Sequence, residues 1–379
     1  MTMPDLTLER IDTLRLARSE GIGPVNFRRL LAEYGGGTRA VAELPERLRR
    51  AGRSKPAYVP TREEIEAELE ATRRLGGEIV LLGDSRYPAM LSHLPDAPPM
   101  LSVLGDTRLF SRRAVGIVGA RNASAAGIRM SETLSAGLAA VDIVVVSGLA
   151  RGIDAAAHRA ALYPGLTVAA VAGGLDQIYP PEHKNLQAEI AQKGCIVTEA
   201  PLGTVPQSRH FPRRNRLIAG LSLGCVVVEA ALRSGTLITA HMTRDYGREL
   251  FAVPGSPLDP RSRGGNNLLR QGATLTESSE DILAELPETI LAPAPLPWAG
   301  NSGFSEASTP WGNEVDDLPK AMREMRSLLS PTPIAVDDIV RRCQFSVSMA
   351  ISALSELELG GFVSFLPGGQ VVLLPEALI

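Results

Sequence analysis

The sequence predicts an α/β fold: a Rossmann-like core on a parallel, doubly wound sheet, with an N-terminal helical domain and a C-terminal winged-helix domain. Three observations predict it. Between residues 111 and 285, short unbroken apolar runs alternate with helix-patterned stretches, as expected of strands buried on both faces. Residues 1–75 carry helical spacing of apolar residues around a Gly-x-Gly turn. Residues 320–379 carry three helical stretches followed by two short strands.

In the N-terminal domain, Leu6–Ala17 has helical spacing. Glu20-Gly21-Ile22-Gly23-Pro24 follows, then a helix from about Val25 to Tyr34 that stops at Gly35-Gly36-Gly37. Helix, Gly-x-Gly turn, helix resembles a helix-hairpin-helix unit, whose turn amides can meet a phosphate. A plain tight turn between packed helices is the alternative. Residues 76–110 read as a connector. Glu78–Leu82 suits a strand, while Tyr87-Pro88, Leu94-Pro95 and Pro98-Pro99 impose extended or turn backbone.

The core, residues 111–285, alternates regularly. Ala114–Val118 closes on Gly119, Ile143–Val146 on Ser147-Gly148, and Leu166–Val171 on Gly173-Gly174. Cys195–Val197 closes on Thr198-Glu199, Gly224–Val228 on Glu229, and Glu249–Val253 on Pro254-Gly255. Helical patterns separate these runs. Residues 286–319, rich in Pro, Ala, Gly, Ser and acidic residues, read as a disordered linker. Beyond it, helices at about 320–329, 335–342 and 346–359 and a hairpin around Gly368-Gly369 make the winged-helix pattern.

The chain is 44% hydrophobic and 21% charged, which fits a globular protein. Its net charge of −3 argues against a globally basic nucleic-acid binder. That average hides a gradient: residues 111–275 hold 18 Lys and Arg against 11 Asp and Glu, and residues 276–328 hold 3 against 10. Three scattered cysteines, Cys195, Cys225 and Cys343, make no C-x-x-C pair, so neither a disulfide framework nor a zinc site is expected. An acidic start without an apolar run, and no apolar stretch of membrane-spanning length, place the expected location in the cytoplasm.

In an open parallel sheet, ligands bind beyond the C-terminal ends of the strands. Here those ends carry Gly119-Ala120-Arg121, Ser147-Gly148-Leu149-Ala150-Arg151-Gly152, Gly173-Gly174-Leu175-Asp176, Thr198-Glu199 and Glu229. Small residues admit close backbone approach, and hydroxyls, N–H groups and Arg suit phosphate oxygens. The most informative stretch is Phe211-Pro212-Arg213-Arg214-Asn215-Arg216. Three arginines at a helix start oppose the helix dipole, which points to a bound anion that neutralises them. Ser234-Gly235-Thr236 opens another helix and forms a candidate second cradle, and Lys184 adds a cation. Several cations and cradles suit a polynucleotide better than one nucleotide. Tyr179 and Phe211 are candidates for stacking on unpaired bases.

No cofactor and no metal are expected. Gly116-x-x-Gly119 lacks the dinucleotide spacing, no Walker A lysine occurs, and His93, His158, His183, His210 and His241 show no metal-ligand spacing. Catalysis is not expected either: no G-x-S-x-G elbow is present. Asp154, Asp176, Glu199 and Glu229 read better as groups that hold turns or orient arginines, Glu229 being the best acid–base candidate.

Six segments resemble the signature of the DprA/Smf family of DNA-processing proteins. They are Ser147–His158, Gly173–Pro180, Phe211–Ile218, Arg233–Ala240, Val253-Pro254-Gly255 and Gly264–Leu269, in order across the core. The resemblance implies a binding protein of natural transformation that protects incoming single-stranded DNA and loads RecA onto it. It also implies a homodimer with no established enzymatic activity. The implied DNA pocket falls on Gly119 and Arg121 (with Ala120 where the family has Ser), on Ser147, Gly148 and Lys184, and on Arg214, Asn215 and Arg216. Phe211, Ser234, Gly235 and Thr236 complete the candidate set. The N-terminal unit resembles the sterile-alpha-motif-like domain of some members. The last winged-helix stretch, 346–359, holds Glu356 and Glu358 and no Lys or Arg, which favours a protein contact or self-association over groove binding. The alternatives are a nucleotide-processing enzyme of the phosphoribohydrolase type, dependent on Glu229, and a duplex-binding regulator acting through the winged helix.

Overall fold

The computed structural model describes residues 7–53, 55–296, 318–366 and 368–374. Its helices in chain order are α1 (Leu8–Arg18), α2 (Pro24–Tyr34), α3 (Gly37–Arg50), α4 (Arg62–Arg74), α5 (Ala89–Ser92), α6 (Ala125–Ala140), α7 (Ile153–Ala161) and α8 (Lys184–Lys193). They continue as α9 (His210–Leu221), α10 (Thr236–Asp245), α11 (Arg263–Arg270), α12 (Ser279–Glu285), α13 (Leu318–Leu328), α14 (Val336–Arg342) and α15 (Val347–Leu359). The strands are β1 (Gly77–Leu81), β2 (Met100–Gly105), β3 (Ala114–Val118), β4 (Val144–Ser147), β5 (Thr167–Ala170) and β6 (Cys195–Thr198). They are followed by β7 (Gly224–Val227), β8 (Glu249–Ala252), β9 (Thr274–Leu275), β10 (Ile334–Ala335), β11 (Val363–Leu366) and β12 (Gln370–Leu373). These elements fall into two units, residues 68–294 and residues 1–67 with 295–379.

The first unit is built on a nine-stranded sheet of order β1-β2-β6-β5-β4-β3-β7-β8-β9. From β6 to β9 all neighbours are parallel, with Gly116 opposite Val146 on one side and Cys225 on the other. Every residue of β3 to β7 is buried, as continuous β-branched runs require when helices cover both faces. The chain runs outward from β3 to β6, then returns to the other side of β3 as β7. Right-handed crossovers therefore put α6, α7 and α8 on one face and α9 and α10 on the other. The packing agrees, α6 lying on α7 and α9 on α10.

The connector supplies β1 where a strand was expected, at Gly77–Leu81, and also β2, which was not expected and pairs antiparallel with β6, Ser102 opposite Thr198. Local proline density gives a connector reading, but the ladder that makes β2 a strand comes from a partner far along the chain. The expected linker also starts later than residue 286. Ala294 N donates to Ser92 Oγ at 2.9 Å and His93 Nε2 lies 2.7 Å from Ala292 O. Its residues 297–317 lie outside the described residues.

In the second unit, α1 to α3 close around Leu16, Phe27, Leu30, Leu31 and Leu44. Pro24 opens α2, and Gly35 ends it in the left-handed region at φ +73°. The winged helix comprises α13, α14, α15 and a sheet of order β10-β12-β11. Met325, Ile339, Leu354, Leu357 and Val371 form its core.

Candidate functional site

The strand order reverses between the parallel neighbours β3 and β7, and the loops that follow these strands meet there. Thr236 Oγ1, at the start of α10, donates to Gly119 O at 3.1 Å. Ser234 Oγ donates to Thr236 Oγ1 at 3.0 Å and accepts from Thr236 N at 3.2 Å. The second cradle is thus tied to the end of β3, with Gly235 exposed and open around its Cα.

Glu229, just past β7, is 8% exposed. It accepts from Ser124 N at 3.0 Å and Ser124 Oγ at 2.5 Å, while Ser124 Oγ accepts from Gly127 N at 2.9 Å. Its carboxylate therefore sits at the N-terminus of α6, where sheets of this kind hold a nucleotide phosphate. Glu229 holds a turn and a helix start, and the anion position beside it is filled by the protein itself.

The turn after β4 is a closed network. Ser147 is fully buried, and its hydroxyl donates to Ile117 O at 2.5 Å. The amides of Gly148 and Ala150 donate to Asp154 at 3.2 and 3.3 Å. Leu149 stands at φ +54°, a conformation unusual for a branched side chain. Two histidines hold it: Leu149 N donates to His158 Nε2 at 3.3 Å, and His183 Nδ1 lies 3.0 Å from Leu149 O. Thr167 Oγ1 donates to Val145 O, so it accepts from His158 Nδ1 at 2.7 Å, and His158 is a neutral imidazole with its proton on Nδ1. Burial, with the nearby charge of Arg214, pushes its pKa down to about 3. Burial pushes the Asp154 carboxyl up against the pull of Arg214.

Helix α9 divides its three arginines. Arg213 is exposed, whereas Arg214 and Arg216 are 6% and 5% exposed. Arg214 donates to Gly148 O, to Ala170 O at 3.0 Å and to Asn215 Oδ1 at 3.2 Å, bracing the ends of β4 and β5. No side chain fits at Gly148, because a Cβ would collide with the Arg214 guanidinium. Arg216 pairs with Glu199, and it donates to Asp96 O at 2.6 Å. Those partners overcome burial and hold its guanidinium above its ordinary pKa. Burial pushes Arg214 down against the opposing charge of Asp154.

Above this layer the rim is open. The Arg121 guanidinium lies 5.0 Å from the centroid of Phe211, and the Tyr179 ring lies 5.7 Å from it at an interplanar angle of 54°. Tyr179 is 42% exposed and Phe211 half-buried. Lys184 is exposed at the start of α8, next to His183 and hence to the Leu149 clamp.

The candidate residues therefore separate by depth. Gly119, Ser147, Gly148, Arg214, Asn215 and Arg216 are buried in the layer that shapes the rim. Phe211, Ser234 and Thr236 are half-buried, and Arg121, Lys184 and Gly235 are exposed. His158 and His183 were not part of the predicted site, only their position around a strand-end turn hinting at them, whereas Asp154 was read as a turn-holding carboxylate and accepts from the turn amides. Among the described residues no three His, Cys, Asp or Glu side chains converge on a metal position, and no helix is long and apolar enough to cross a membrane.

Comparisons with known proteins show which families and structures the chain is similar to. Residues 78–287 match the family model of DNA recombination-mediator protein A, residues 7–71 a DprA-like N-terminal HHH domain, and residues 314–369 a DprA winged helix domain. Protein Smf of Escherichia coli is 35% identical over 312 residues, covering 82% of this chain and 81% of that protein. DNA processing protein DprA of Bacillus subtilis is 42% identical over 222 residues, covering 58% of this chain and 75% of that one. The X-ray structure of DNA processing protein A from Streptococcus pneumoniae aligns with a TM-score of 0.57 at 40% identity, over 60% of this chain and 79% of that chain. A DNA processing protein A from Helicobacter pylori, described for its single-stranded DNA binding mode, aligns with a TM-score of 0.50 at 32% identity. It covers 54% of this chain and 94% of that one.

Proposed function

The chain belongs to the DNA recombination-mediator protein A family, that of the DprA and Smf proteins, and from that premise we propose that the rim of its sheet binds single-stranded DNA. The family is one of DNA-processing recombination mediators rather than known enzymes. The observation that carries the reading is the Arg121–Phe211–Tyr179 cluster, with exposed Lys184 beside the Leu149 turn. Cations meet phosphates, while the aromatic faces stack on unpaired bases, which duplex DNA does not offer. The Helicobacter pylori relative, described by its single-stranded DNA binding mode, supports the same ligand.

In this reading Arg121, Lys184, Phe211, Gly235 and Thr236 contact the strand, with exposed Arg213 added. Ser147, Gly148, Arg214, Asn215 and Arg216 hold the rim in shape from beneath. Tyr179 joins the contact set. Protection of incoming DNA during transformation, loading of RecA and homodimerisation complete the proposal, and these three rest on the family resemblance. The nucleotide-processing alternative is disfavoured because Glu229 is engaged with Ser124 at the position a substrate phosphate would take.

The test compares the wild type with Arg121→Ala/Lys184→Ala on oligo-dT, its duplex and AMP at two salt concentrations. The double variant should fold normally, bind oligo-dT more weakly and show a salt slope smaller by about 2, roughly 1 per lost phosphate contact. Unchanged affinity for oligo-dT would defeat the site, and turnover of AMP that disappears in Glu229→Gln would defeat the function.

A further inference from the structure

The C-terminal half of α15 is turned into the protein. Glu356 and Glu358 are 4% and 8% exposed, and both lie against the N-terminal helices. Glu356 accepts from Arg29 at 2.7 Å and from both terminal nitrogens of Arg47, one at 2.8 Å. Burial raises the Glu356 carboxyl, but Arg47 and Arg29 outweigh it and hold the group below its ordinary range. Glu358 accepts from Asn26 Nδ2 and from Phe365 N, the latter at 3.3 Å. Its Oε1 stands 3.0 Å from where a Cβ on Gly23 would lie. Gly23 is the N-cap of α2, with no side-chain cap and no acidic residue in the first turn. Asn26 Oδ1 and Arg29 Nη1 are buried with no partner. Leu359, the last residue of α15, belongs to the N-terminal core.

We propose that the face formed by Gly23, Asn26, Arg29 and Arg47 is a site for duplex-DNA backbone phosphates, which Glu356 and Glu358 occupy so that the N-terminal domain and the winged helix mask each other. A glycine hairpin turn opening onto uncapped helix amides, with two guanidinium forks, suits paired anionic oxygens of phosphate or carboxylate alike. Two glutamates supply such oxygens from within the chain. Duplex is favoured over single strand because the element masked together with this face is the third helix of a winged helix, which enters a duplex groove. The masking is mutual. The third helix of a winged helix is the element that enters a groove, and here its C-terminal half is committed to the N-terminal helices.

The test uses the full chain and a blunt duplex of about 20 base pairs. Glu356→Gln/Glu358→Gln should bind it about tenfold more tightly, with a steeper salt dependence, and hydrogen exchange should rise across 347–359. Adding Arg29→Ala and Arg47→Ala should return the affinity to the wild-type value. In the wild type, saturating duplex should itself speed exchange in 347–359. The proposal is overturned if α15 loses protection without a gain in duplex affinity, if the gain survives loss of both arginines, or if duplex binds the wild type without changing α15 exchange. Glu358→Gln alone, which leaves the Arg47–Glu356 pair, replaces the double variant should that fail to fold. Oligo-dT affinity should be unchanged throughout, so the outcome is independent of the rim.

Discussion

Two guanidiniums approach the ring of Phe211, Arg121 at 5.0 Å and Arg214 at 5.9 Å, and their surroundings differ completely. Arg121 is exposed, with its charge in water. Arg214 is buried, its donors spent on Gly148 O, Ala170 O and Asn215. The inner cation holds strand ends in place, and in the proposed reading the outer one is left for an outside anion. A variant of each should therefore fail in a different way, one in folding and one in binding.

The largest effect tests the inner side. Arg214→Ala leaves buried Asp154 without its compensating charge and two carbonyls without their donor, and should lower stability by about 3–5 kcal/mol in urea unfolding. An Arg214→Ala protein of native stability that loses only DNA affinity would reverse the two roles. The second test is pH. The folded-state pKa of His158 is depressed to about 3 from an ordinary value near 6.5. Its contribution is therefore complete above about pH 6.5 and is lost progressively as pH falls from there toward 3. The urea midpoint should drop between pH 7.5 and pH 5, and drop less in His158→Gln. Equal slopes would remove His158 from the clamp.

The remaining tests address the outer side. Phe211→Leu keeps an apolar side chain but loses the stacking face, and should weaken oligo-dT binding by about 1–3 kcal/mol at unchanged stability. Lys184→Ala should give the smallest change, a salt slope lower by about 1 with little effect on melting. A large loss of stability in either would move that residue to the inner layer.

The central parallel strands, β3 to β7, were readable because each is a short apolar run that closes on Gly, Ser or Glu, a pattern that burial on both faces leaves little room to vary, whereas the two-residue β9 was not read. Depth within the site was not readable. Residues 214–221 of α9 are all buried, so the helix has no solvent stripe to tell Arg213 from Arg214 and Arg216. The clamp on Leu149 joins residues from β5, α7 and the segment before α8. Only the assembled sheet brings these together, and each histidine alone looks like any other. The acidic pair in α15 was visible as a stretch lacking Lys and Arg. Its partners, Arg29 and Arg47, lie more than 300 positions earlier.

The carboxylate of Glu229 at the start of α6 has one further consequence. A free mononucleotide gains most of its hold from one strong anchor, and in this sheet that socket is plugged from inside. On the proposed reading, what remains is a string of weaker grips spread along the rim, each rewarding one more linked unit of the ligand. Affinity should therefore climb with oligomer length, so that the fold distinguishes a chain of nucleotides from its monomers by counting rather than by chemical identity.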